Sequence, residues 1–94
     1  MTRLVWTKTL LRAYRRMARH DLQLRKRIEK ALLILVHDPM HPSLRTHKLK
    51  GELAGVWACS VDYDVRILFE FVQAPDTQER DILLLTLGTH DEVY

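Results

Sequence analysis

Three short stretches of this 94-residue chain carry side chains that could do phosphate chemistry together. His47, Lys48 and Lys50 form the first, Asp64 and Arg66 the second, and His90 and Tyr94 the third. Gathered in one place, they meet the needs of metal-free RNA cleavage. A base takes the proton from a ribose 2′-hydroxyl, and the alkoxide attacks the neighbouring phosphorus. An acid protonates the departing 5′-oxygen, while cations offset the charge on the phosphate oxygens. Histidine suits both proton transfers near neutral pH, and an aromatic ring can hold a base by stacking. On spacing alone the plainer reading stays open, that each residue is a solvated polar group.

Other chemistries fare worse. Among the five histidines, His37 and His41 are four apart, but Pro39 between them destroys the helical face that would make that spacing a metal site. No metal or other cofactor is expected. Ser60 and Cys59 lack the flanking glycines of a nucleophile elbow, and Cys59 reads as a small core residue. No glycine-rich phosphate loop follows a strand.

Positioning these residues is the task of one domain, 1–94, with 47% hydrophobic residues to fill a core. A single cysteine excludes an internal disulfide and suits a reducing compartment. The apolar runs are too short to span a bilayer, and MTRLVWTK lacks the apolar stretch of a signal peptide, so a cytoplasmic protein is expected with no membrane partner. Residues 1–50 hold 13 basic and 3 acidic residues (+10), and residues 51–94 hold 2 and 9 (−7). That asymmetry suits a polyanionic partner, or simply a pair of basic helices that keep the protein in solution.

Arg3 to Thr7 reads as an edge strand. From Lys8 the period becomes helical: Leu10, Tyr14 and Met17 line one side and Arg12, Arg15, Arg16 and Arg19 the other. Asp21 offers an N-cap to a second helix with Leu24, Ile28, Ala31, Leu32 and Leu35 inside, ending near His37 ahead of Pro39. Gly51 and Gly55 bracket a turn, and Val56 to Val61 reads as a strand. Val65 to Val72 alternates, placing Val65, Ile67, Phe69 and Phe71 on one face. Asp62 to Asp64 suits a hairpin turn, Gln73 to Arg80 a polar connection, and Ile82 to Leu87 a central strand covered on both sides. The order β-α-α-β-β-β predicts an α+β domain: an antiparallel sheet of about four strands with an N-terminal helical hairpin.

The stretch HKLKGELAGVWACSVDYDVRILFEF, followed by LLLTLGTHDEVY, resembles the RelE superfamily of bacterial toxin–antitoxin ribonucleases, and most of all its YafQ branch. The resemblance implies a toxin that cuts messenger RNA on the ribosome without metal and is silenced by a cognate antitoxin. His47, in His47-Lys48-Leu49-Lys50-Gly51, is similar to a YafQ-type active-site histidine, and Asp64 to a catalytic acid of that branch. Arg66 matches a phosphate-binding arginine, His90 the histidine expected as general acid, and Tyr94 a C-terminal aromatic. Lys48 and Lys50 are expected on backbone phosphates. The chain departs from the pattern at Ser60, where YafQ-type toxins carry a histidine and RelE a lysine, at Ala58, a second RelE lysine position, and at Val65, an aromatic position in YafQ. Two other readings stay open: a ParE-like toxin that binds DNA gyrase, and a catalytically impaired partner of an antitoxin.

Overall fold

The computed structural model describes residues 2–76 and 78–94, without the Glu52 side chain. Thr77, within the expected polar connection, and Met1, within the N-terminal stretch, lie outside the described residues. The elements are β1 (Leu4–Trp6), α1 (Lys8–Ala18), α2 (Leu22–His37), β2 (His47–Lys48), β3 (Trp57–Ser60), β4 (Val65–Gln73), β5 (Arg80–Thr89) and α3 (His90–Val93). Two 3₁₀ turns, Pro42–Leu44 and Gly51–Leu53, flank β2. None of the helices is long and apolar enough to cross a membrane, among the described residues.

The helical hairpin forms for the reasons its sequence supplies. The Asp21 carboxylate accepts the Leu24 N–H at 3.0 Å, capping α2. Thr7 caps α1 by accepting from Leu10 N–H, and its hydroxyl donates to the Leu84 carbonyl at 2.7 Å, which pins the start of α1 to β5. Leu10 and Ala13 of α1, with Ile28, Ala31, Leu32 and Leu35 of α2, cover one face of the sheet. Tyr14 and Met17 are only partly buried; the small Ala13 takes the innermost place beside Leu10.

The sheet runs β1-β5-β4-β3-β2 and has five strands, one more than the sequence suggested. The extra strand is β2, too short to show a period. The sheet is also mixed: β1 pairs parallel with β5, while every other neighbouring pair is antiparallel. Cys59, Val65, Ile67, Phe69, Ile82, Leu84 and Leu87 meet the helices, and the alternation expected for β4 holds. The opposite face carries a smaller apolar patch of Val56, Ala58 and Leu68, with Leu49, Leu85 and Val93 against it, and is otherwise open. At the β1 margin, buried Asp81 accepts from both the backbone N–H and the guanidinium of Arg3, at 3.1 and 2.9 Å.

Candidate active site

The β3–β4 hairpin fixes Arg66. Ser60 pairs with Arg66, and the intervening turn is closed by Asp62, whose carboxylate accepts the N–H groups of Asp64 (3.0 Å) and Val65 (2.9 Å). The Arg66 guanidinium curls over that end and donates to the carbonyls of Asp62 (2.9 Å) and Val65 (3.2 Å). Among the described residues it forms no ion pair, so its charge is held in place without being neutralised.

The tail then folds over the neighbouring strand. Gly88 of β5 faces Arg66. A Cβ at Gly88 would lie 3.1 Å from both the Glu92 Cβ and the Val93 Cγ1, so any side chain there would press α3 outward by a few tenths of an ångström. Thr89 and Glu92 form a capping box, with the Thr89 N–H donating to the Glu92 carboxylate at 2.9 Å. That backbone hydrogen bond, with a further one from the Thr89 side chain, holds the Glu92 carboxyl below its usual range. Its other oxygen meets Arg16 of α1 at 3.4 Å. The His90 N–H donates to the Asp64 carbonyl (2.9 Å) and the Tyr94 N–H to the His90 carbonyl (3.1 Å). The His90 and Tyr94 rings meet edge to face at 4.5 Å. Partial burial raises the Tyr94 phenol above its ordinary value against the opposing pull of Arg66, so it stays a neutral O–H donor.

Hairpin and tail thus bring Arg66, His90, Tyr94 and the Asp64 backbone together. The Asp64 side chain is exposed and forms no hydrogen bond among the described residues; Asp62, two residues earlier, closes the turn. His47 arrives from the other side. It pairs with Ala58, which places it on the open face with Ser60 and Arg66 but two strands beyond Arg66. Three strand spacings, about 14 Å, separate its backbone from β5. Its Nδ1 lies 2.9 Å from the Arg45 carbonyl. A carbonyl only accepts, so Nδ1 carries a proton there and Nε2 is the ring nitrogen left to face a substrate. Lys48 pairs with Trp57 and sits on the helix side of the sheet, its ammonium 5.4 Å above the indole, away from this face. Lys50 is exposed just before the Gly51–Leu53 turn.

A cleft of about 300 Å³ opens beside Arg66, lined also by Ser43, Arg45, Ser60, Asp62 and Tyr63. Arg45 has φ of 50°, the one left-handed non-glycine residue among those described. That conformation costs on the order of 1 kcal/mol for an L-residue. Sequence reasoning passed over Arg45, since no periodic pattern marks a residue between a 3₁₀ turn and a two-residue strand. A larger hollow, about 800 Å³, lies along the helical hairpin between Tyr14, Arg15, Arg16, Arg19, His20 and Arg25, and none of the expected site residues lines it. Among the described residues no three His, Cys, Asp or Glu side chains converge as a metal-binding group. Cys59 is buried and its thiol is pushed up to about 12, which leaves it unreactive at neutral pH.

The family described as bacterial toxin of type II toxin-antitoxin system, YafQ, matches residues 2–94. No curated protein matches the chain in sequence. Several solved structures share its fold. A YoeB/ParE toxin from Agrobacterium tumefaciens superposes with a TM-score of 0.78 at 20% identity, over 95% of this chain and 99% of that one. YafQ from E. coli strain BL21(DE3) gives 0.72 at 11% identity, over 100% and 99%. The toxin of a YoeB-YefM complex from Staphylococcus aureus gives 0.72 at 14%, over 96% and 98%.

Proposed function

The chain belongs to the YafQ family of bacterial toxins of type II toxin-antitoxin systems, and from that premise we propose that it is a metal-independent endoribonuclease that cleaves messenger RNA on the ribosome. Arg66 binds the scissile phosphate. His47 Nε2 takes the 2′-hydroxyl proton, and the 2′-oxygen attacks phosphorus. The bond from phosphorus to the 5′-oxygen breaks, and His90 gives that oxygen its proton. The products are a 2′,3′-cyclic phosphate and a 5′-hydroxyl. Tyr94 packs on His90 and fixes its ring. Asp64, at the rim of the hairpin, helps to orient the attacking sugar. Lys50 contacts the RNA backbone at the β2 margin, while Lys48, over Trp57, serves flanking phosphates only.

The observation that carries this reading is the Arg66 guanidinium, held by two carbonyls with no carboxylate against it among the described residues, beside the packed His90–Tyr94 pair. The test is cleavage of a synthetic RNA by the purified protein in the presence of a chelator, with mapping of the product ends. His90→Ala should slow cleavage by about 10²–10⁴-fold while leaving the circular dichroism spectrum unchanged. Wild-type rates from a folded His90→Ala variant defeat the assignment.

The partner is a cognate antitoxin. The arginine-lined groove of the helical hairpin suits an acidic amphipathic segment laid along it. Affinity for that antitoxin should fall as salt rises, and a salt-independent affinity rules out the electrostatic contact.

A further inference from the structure

Two residues around the 300 Å³ cleft have no evident work inside the protein. Tyr63, at the tip of the β3–β4 hairpin, is 97% exposed. Among the described residues it makes no ring contact and no side-chain hydrogen bond. Nor does the turn need it, because Asp62 takes both free amides. An aromatic ring left wholly in water forgoes the burial that is its usual contribution.

Arg45 presents the same puzzle on the other wall. Its left-handed backbone closes the Pro42–Leu44 turn through an N–H to the Pro42 carbonyl, and its own carbonyl holds His47. Glycine would adopt that conformation without strain. What arginine adds is a guanidinium, which is exposed and unpaired among the described residues.

We infer that Tyr63 and Arg45 form a subsite for the nucleotide next to the cleaved bond, Tyr63 stacking its base and Arg45 binding its phosphate. The inference rests on the reading that this face takes RNA, and adds which residues grip the flanking nucleotide and how they select it. At about 300 Å³ the cleft is sized for one nucleotide rather than a duplex. Its polar wall offers the Ser43 and Ser60 hydroxyls and the Asp62 carboxylate, whose outer oxygen is 3.7 Å from Arg27. With so few groups to read a base edge, selection follows stacking strength, so purines are preferred over pyrimidines.

The test measures binding, not cutting. Wild-type protein is titrated with tetranucleotide RNAs made uncleavable by a 2′-O-methyl group at the cleaved step, carrying 2-aminopurine or uridine at the adjacent position. Stacking on Tyr63 should quench 2-aminopurine fluorescence. Tyr63→Ala should abolish the quench and weaken binding about tenfold, while Tyr63→Phe keeps both. Arg45→Gly should weaken binding and lower the slope of log affinity against log salt by about 0.7, one phosphate's worth on a single strand, yet melt no lower than wild type. Unchanged quenching and affinity in Tyr63→Ala overturn the subsite, as do undetectable RNA binding or a destabilised Arg45→Gly. If these effects appear but natural RNA is not cut, the subsite stands and the nuclease reading falls. If both variants bind and cut natural RNA with wild-type affinity and site preference, the subsite falls and the nuclease reading stands.

Discussion

Arg66 shows how much one side chain depends on its fork. Two of its contacts are spent on the carbonyls of Asp62 and Val65, both through Nη1, which leaves the other guanidinium edge for phosphate. A lysine has no second edge. Arg66→Lys should therefore lower kcat/KM about 10–100-fold, as expected for loss of a charge-assisted hydrogen bond, with little change in melting temperature. Steady-state cleavage beside a thermal melt checks this, and full activity in the lysine variant would show that charge alone suffices. Tyr94 separates ring from hydroxyl. Its phenol is raised, so it does not ionise in the neutral range. Tyr94→Phe should leave the shape of the pH–rate profile unchanged between about pH 6 and 9, whereas Tyr94→Ala removes the ring packed on His90 and should lower kcat. At this scale the sequence was informative about residue types but not directions. Lys48 and His47 are neighbours but one apart, so the pleat sends them to opposite faces.

At the scale of elements, the four-residue α3 is the part whose stability the chain alone does least to explain. A helix this short is not stable in isolation. It is held by the capping box, by Arg16 from α1, by the His90 N–H on the Asp64 carbonyl, and by the bare Gly88 beneath it. Each hold is separable. Glu92→Gln keeps an oxygen for the Thr89 N–H and loses the pairing with Arg16, so it should retain most activity. Glu92→Ala loses both, and Gly88→Ala pushes against the Val93 and Glu92 side chains directly. Both should lower kcat more than they lower melting temperature, because the tail shifts while the sheet beneath it stays. Nuclear Overhauser contacts between the His90 and Tyr94 rings report that shift, and their survival in an inactive Gly88→Ala variant would refute it. The longer elements were legible because they repeat. Helix α2 shows four internal apolar positions, an Asp21 cap and a proline stop, and β4 turns Val65, Ile67, Phe69 and Phe71 to one face. The two-residue β2 and the parallel sense of β1 were not, since both follow from where the rest of the sheet leaves an open edge.

The whole molecule ties its two ends together, and the tie has a pH dependence. β1, near the N-terminus, pairs with β5, which mounts the His90–Tyr94 tail, and Asp81 clamps the pair through Arg3. Asp81 is only 2% exposed, yet the Arg3 guanidinium hydrogen-bonded to it holds its carboxyl below the usual carboxylate range. A carboxyl depressed in the folded state binds its proton more weakly there than in the unfolded chain. Its contribution is therefore present in full above the unfolded pKa, about 3.9, and is lost as pH falls through the lower folded value. Asp81→Asn keeps the shape and one acceptor but carries no charge. It should melt below wild type at pH 7, and the gap should narrow as pH falls below the unfolded value, about 3.9, and on through the lower folded one. Thermal melts of both proteins across that range decide the matter. A gap that stays constant with pH would mean that the clamp works by packing and neutral hydrogen bonds.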